Sequence, residues 1–145
     1  MQFFGWLLVQ RRIQSQANLA RKNIIENASC ELCGQEEDCD HIVFHCCFLS
    51  QVWRALGFHT EGVSVNCIWT VARSTTVPDR HFYTLLLLIY WMLWKQRIDL
   101  VFRQTQTCHS TFWHNCRDEA RLWSQRFSQE DRLIADAWCF LFNSM

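Results

Sequence analysis

Cys30 and Cys33 stand two residues apart, Gly34 follows directly, and His41 and Cys46 come next, giving the spacing C-x2-C-x7-H-x4-C. Two thiolates so placed can face one ion, because the tight turn between them brings both sulfurs to about 2.3 Å from it. Gly34 can take a positive φ and let the backbone fold beneath the metal. His41 and Cys46 supply two further corners of a tetrahedron. Four protein ligands leave no open position, so the expected ion is one structural zinc, not a catalytic one. Cys39, His45 and Cys47 compete for the later corners. His41 and His45, four residues apart, would share one face of a helix, whereas pairing His41 with Cys46 requires the chain to bend or a helix to begin near His41.

The wider chain fits that reading. Nine cysteines, an odd and unevenly spread number, make a poor disulfide framework. Clustered Cys and His then point to metal in a reducing compartment, so an intracellular location, nuclear or cytoplasmic, is expected. Phe3–Val9 is apolar, but it has no basic residue before it and leads into Arg11-Arg12, so it is not read as a signal peptide. The apolar run from Phe82 stops at Lys95, short of the roughly 20 residues a membrane helix needs. A formal net charge of zero excludes a binder held to nucleic acid by bulk charge alone. Charge is nonetheless uneven: residues 1–29 carry +3 and residues 30–56 carry −4.

Periodicity predicts a mainly α fold, with a small zinc-stapled helical domain over 1–57, a linker over 58–80 and a helical region over 81–145. Phe3, Trp6, Leu7 and Ile13 fit a first helix loosely. Ser15 reads as the N-cap of a short helix through Leu19 and Ile24. Phe44, Phe48, Val52 and Leu56 repeat every four residues, and Gly57 stands where a helix would stop. The segment 58–80 is Gly-, Ser- and Thr-bearing with the only proline, Pro78, and a short extended piece is expected at Val63–Ile68. One long helix is expected over 82–103, another marked by Cys116, Ala120, Trp123 and Phe127, and a last one by Leu133, Ile134, Ala137, Trp138 and Leu141. A second Cys/His cluster, Cys108, His109, His114 and Cys116, reads as buried thiols with surface imidazoles, since neighbouring residues rarely bind one ion together.

The first third resembles the reverse transcriptase zinc-binding domain of plant non-LTR (LINE-type) retroelements. The resemblance lies in Phe4, Trp6, Leu7, Arg12, Ile13, Asn18, Leu19, Arg21, Lys22, Ile24, Cys30, Cys33, Gly34, Asp40, His41, Phe44, Cys46, Val52 and Trp53, in order over about 50 residues. It implies Cys46 as the fourth ligand. Ser15 stands where the family commonly has Thr. The family has sequence before Phe3, so the chain reads as a detached or decayed fragment of a mobile element. Tyr90–Phe102 resembles the segment that often follows in the same open reading frames, ending I-W-K-x-R-N-x-x-V-F, with Ile98 in place of the Asn.

These features imply a non-catalytic zinc module of retroelement origin that contacts RNA or DNA through Arg11, Arg12, Arg21 and Lys22, with Trp6 and Phe4 near for stacking. The acidic stretch argues against phosphate contact by the zinc loop itself. The competing expectation is a protein-interaction fragment in which zinc is only a staple. Eight Trp would then leave an exposed apolar patch for a missing reverse transcriptase or ribonuclease H domain. No polymerase Asp-Asp motif, phosphate loop or nucleophile–base pair is visible, so no enzymatic activity is expected.

Overall fold

The computed structural model describes residues 2–73, 75, 77–106 and 108–145. Six α-helices form among them: α1 (Gln2–Val9), α2 (Gln16–Arg21), α3 (Cys47–Ala55), α4 (Phe82–Arg103), α5 (His109–Ser124) and α6 (Arg132–Asn143). A π-helical turn at His41–His45 and a 3-10 segment at Val65–Thr70 complete the helical structure. No strand is present among the described residues; one isolated antiparallel bridge joins Ser29 and Glu36. The fold is mainly α, as the periodicity predicts. No helix among the described residues is long and apolar enough to cross a membrane.

The chain divides into two compact units, Met1–Ala72 and Arg73–Met145. This differs from the expected boundary after Gly57. Phe58, Val65 and Val71 are all buried, so residues 58–72 belong to the first unit. In place of an extended piece at Val63–Ile68 there is the 3-10 segment, capped by Ser64 and packed against α1. Ser74 and Thr76, in the remainder of the expected linker, lie outside the described residues.

In the first unit, α1 buries Phe4 and Leu8, one turn apart, while Phe3 and Trp6 face outward. Ile13 is buried but lies beyond the helix, which ends with Arg11 in the left-handed region (φ 55). There Arg12 N–H bonds Leu7 O and Arg11 N–H bonds Leu8 O, satisfying two terminal carbonyls. A left-handed arginine is costly. It is held by its own guanidinium, bonded to Asp40 at 2.5 Å, Ser64 at 3.0 Å and Asn66 at 3.3 Å. Ser15 caps α2 by accepting from Asn18 N–H. That helix stops at Arg21, short of Ile24, because Asn23 takes the left-handed conformation (φ 56). Phe44, Phe48, Val52 and Leu56 are buried together, and Gly57 (φ 73) ends α3 with Phe58 N–H on Trp53 O.

In the second unit, α4 spans the expected 82–103 and is buried on several sides through Leu85, Leu86, Leu88, Ile89 and Met92. Helix α5 packs on both α6 and α4. It stops before Phe127, which sits in the following turn, stacked on His81 at 4.9 Å and edge-on to Trp138. The buried stripe of α6 is Ala135, Trp138, Cys139 and Phe142; Leu133 and Ala137, expected inside, are exposed. Four tryptophans are buried, Trp91 and Trp94 are half-buried, and Trp6 and Trp69 are exposed. Most of the indole surface therefore serves the two cores.

Glu119 joins α5 to α4. Burial raises its carboxyl, but bonds from the Trp123 indole (3.0 Å) and Lys95 (3.1 Å) outweigh this and hold it below the usual carboxylate range. A carboxyl lowered in the folded state adds stability that is complete above its unfolded pKa and is lost as pH falls through the folded one. Glu119→Gln is expected to reduce amide-exchange protection of α5 in the full chain at neutral pH. The gap to the unsubstituted chain should close in strong acid; a gap unchanged by pH would show that the carboxylate charge contributes nothing.

Candidate metal centre

Residues 28–37 form a small hairpin. Glu37 N–H bonds Ala28 O at 2.8 Å, Cys30 N–H bonds Gln35 O at 2.7 Å, and Gly34 N–H bonds Cys30 O at 2.8 Å. Gly34 sits at φ 72 with open space where a Cβ would be, so the backbone conformation, not crowding, is what favours glycine there. Leu32 N–H points at Cys30 Sγ at 3.4 Å. The C-x-x-C turn thus directs its sulfurs inward and offers one a backbone donor.

The other arm is set by Asp38, whose carboxylate accepts from His41 N–H at 2.7 Å. From His41 the chain makes a π-helical turn closed by Cys46 N–H on His41 O at 3.2 Å. In an α-helix, residues five apart lie about 140° apart around the axis. The wider i→i+5 turn brings them nearly onto one face. This is the bend that pairing His41 with Cys46 requires. Cys46 then turns to extended backbone (φ −64, ψ 146), and α3 begins at the next residue. Trp53 of α3 holds the turn from behind, its indole N–H donating to Val43 O at 2.7 Å.

Cys30, Cys33, His41 and Cys46 converge, their ligand atoms all within 4.8 Å of one another. Cys30 Sγ lies 3.8 Å from Cys46 Sγ, and Cys33 Sγ lies 3.3 Å from His41 Nε2. A tetrahedral zinc places two thiolate sulfurs about 3.8 Å apart, and a sulfur and an imidazole nitrogen about 3.6 Å apart. The donor set and its spacing therefore fit zinc. Three of the four side chains are buried and Cys33 is half-buried. The bond from Cys46, assisted by His41 and the Leu32 and Cys33 N–H groups, outweighs burial and holds the Cys30 thiol at about 3. The bond to Cys30 together with burial pushes Cys46 up. The bond to Cys30 likewise raises His41 against the effect of burial.

The competing ligands lie elsewhere. His45 and Cys47 are exposed, and Cys39 is buried beside Asn18, whose amide is 3.6 Å from its sulfur. Cys108 and His114 are exposed whereas Cys116 is buried, so the second cluster does not assemble. Among the described residues only the first cluster forms a possible metal-binding group.

Of the basic candidates, all four are exposed, but Arg11 is committed to Asp40. Asp40 also accepts from Ser64 and from Val65 N–H. Burial raises its carboxyl, and these three partners more than compensate, lowering it. Arg12 lies 5.5 Å over the Trp6 ring, Arg21 bonds Asn18, and Lys22 bonds Gln14. Phe4, expected near for stacking, is buried; Phe3 is the exposed ring. The sequence reading missed the supports of the site: Asp38 at His41 N–H, and Glu37, buried, accepting from Gln16 N–H at 3.0 Å. Asp38 stands three residues before His41, a capping spacing that could have revealed it.

Residues 1–53 match the family described as zinc-binding in reverse transcriptase. That match and the Cys3His cluster support a reverse transcriptase zinc-binding domain in this segment. Neither curated proteins nor solved structures give a match to the chain.

Proposed function

We propose that the first unit is a non-catalytic module of a retroelement reverse transcriptase, of the plant non-LTR type, in which one structural zinc fixes a surface that contacts RNA or DNA. The observation that carries this reading is the convergence of three thiols and one imidazole, their ligand atoms all within 4.8 Å of one another, inside the matched segment. Cys30, Cys33, His41 and Cys46 would hold the ion and fill its coordination sphere. When bound, zinc supplies cross-linking and charge neutralisation, with no position left for a reacting group. Around it, the chain's own residues fix the shape. Asp38 and Glu37 anchor backbone N–H groups, and the paired Arg11 and Asp40 both bond the segment after α3, at Ser64, Val65 and Asn66. The phosphate-contacting cations are then Arg12, Arg21 and Lys22. Metal analysis of the purified chain should give one zinc per protein, and a labelled oligonucleotide should bind with strong salt dependence. A chain that binds no zinc would sink the reading.

A second reading attaches to the second unit. Leu133 and Phe140 of α6 are 73% and 77% exposed, and Phe102 at the end of α4 is 67% exposed. Such apolar surface favours contact with a further domain, such as a reverse transcriptase or ribonuclease H domain, over contact with nucleic acid.

A further inference from the structure

We propose that the outer face of α1 and the turn after it form a stacking platform for single-stranded nucleic acid. This inference rests on the nucleic-acid reading above and narrows it to unpaired bases. Phe3 and Trp6 lie on the side of α1 opposite its buried pair, 71% and 49% exposed. Their rings are stacked, with centroids 6.1 Å apart and planes 23° apart. The Arg12 guanidinium lies 5.5 Å from the centre of the Trp6 ring. Two aromatic faces and a planar cation therefore sit together at the surface.

The remaining cations are tethered to the same turn. Arg21 bonds Asn18 Oδ1 at 3.1 Å, and the Asn18 amide donates to Arg11 O and Ile13 O at 2.9 and 2.8 Å. Lys22 Nζ reaches Gln14 Oε1 at 3.4 Å. Arg12, Arg21 and Lys22 thus touch neutral partners and have no acid partner among the described residues. Of the neighbouring acids, Asp40 is paired with Arg11, while Glu37 and Asp38 are turned to the Gln16 and His41 N–H groups. Cations with no acid within bonding distance, beside exposed rings, complement a polyanion that also offers flat faces. A duplex keeps its base faces stacked inside, whereas a single strand presents them, and stacking on aromatic side chains is tolerant of sequence.

The test uses the full zinc-loaded chain and three labelled probes in fluorescence anisotropy: a short oligothymidylate, an abasic oligomer with the same number of phosphates, and a duplex. The oligothymidylate should bind at least about fivefold more tightly than the abasic strand. Trp6→Ala should weaken oligothymidylate binding by about 5- to 150-fold and leave the abasic strand unaffected. Trp69→Ala, which removes another exposed indole of the same unit, should change neither. Three phosphate contacts predict a log–log salt slope of about −2 for the single strand. Equal affinity for the base-bearing and abasic strands overturns the platform and leaves phosphate contact standing. So does duplex binding as tight as the single strand, or indifference to Trp6→Ala. Failure to bind any probe overturns this inference together with the nucleic-acid reading.

Discussion

Removal of zinc by a chelator, or Cys33→Ser, should unfold the first unit while α4, α5 and α6 keep most of their helicity. Between Ser29 and Asp40 the buried side chains are two thiols and the Glu37 carboxylate, so this segment has no apolar core of its own. Structural zinc contributes about 10–16 kcal/mol of apparent binding energy in small peptides, comparable with or larger than the net stability of whole domains. The expected ligands all lie in the first unit, and the second has a separate core of Leu85, Leu88, Ile89, Phe112 and Trp138. Far-UV circular dichroism should fall in part, and amide exchange should accelerate in residues 28–56 far more than in 82–103. Acid should act in the same direction, since zinc requires thiolates and a neutral imidazole. Equal protection of the hairpin with and without metal would show that the thiols are inert packing.

Trp53→Ala should be nearly as damaging, although Trp53 is no ligand. Its indole is 1% exposed, packs on Phe44 at 5.9 Å and Phe58 at 6.0 Å, and holds the Val43 carbonyl of the π-helical turn. Emptying such a site costs about 3–5 kcal/mol, before any penalty for the carbonyl. The first unit of the variant should hold its structure only in excess zinc, with metal affinity reduced because binding must also restore the turn. Trp53→Phe separates the two contributions. It keeps most of the packing and leaves Val43 O unpaired, at about 1–3 kcal/mol. Denaturant unfolding with and without metal measures both. A Trp53→Ala chain that binds zinc as tightly as the unsubstituted one would show that the turn forms without its brace.

The four residues that converge were legible because residue type and spacing mark out a small set of candidates, from which the resemblance singled out Cys46. The long helix α4 was legible because its apolar run and its exit into charge both lie in contiguous sequence. The π-helical turn was not, since a 3.6-residue period places His41 with His45. Residues 58–72 read as a linker because the apolar side chains that become buried, Phe58, Val65 and Val71, are far apart in sequence and follow no helical period. What orders them is distant: Asp40 accepts from Val65 N–H and Ser64, and α1 packs on the 3-10 segment. Arg11 counted as a surface cation for the same reason, its acid partner lying 29 residues away. In α6 a run of Leu, Ile and Ala allowed more than one stripe, and the packing of α5 and Phe127 decides which one is covered.

The turn between His41 and Cys46 also governs which changes of length the chain can survive. Between Gly34 and His41 the hairpin closes at Glu37 and Asp38 caps His41, so an added residue between those two anchors could bulge outward and leave all four donors in place. Between His41 and Cys46 no such slack exists. Inserting one residue would rotate the thiol about 100° further around, away from the His41 side of the turn. That frame-preserving change should abolish metal retention without altering a single ligand. The interval of four residues is thus as much a part of the site as the cysteine and histidine that bound it.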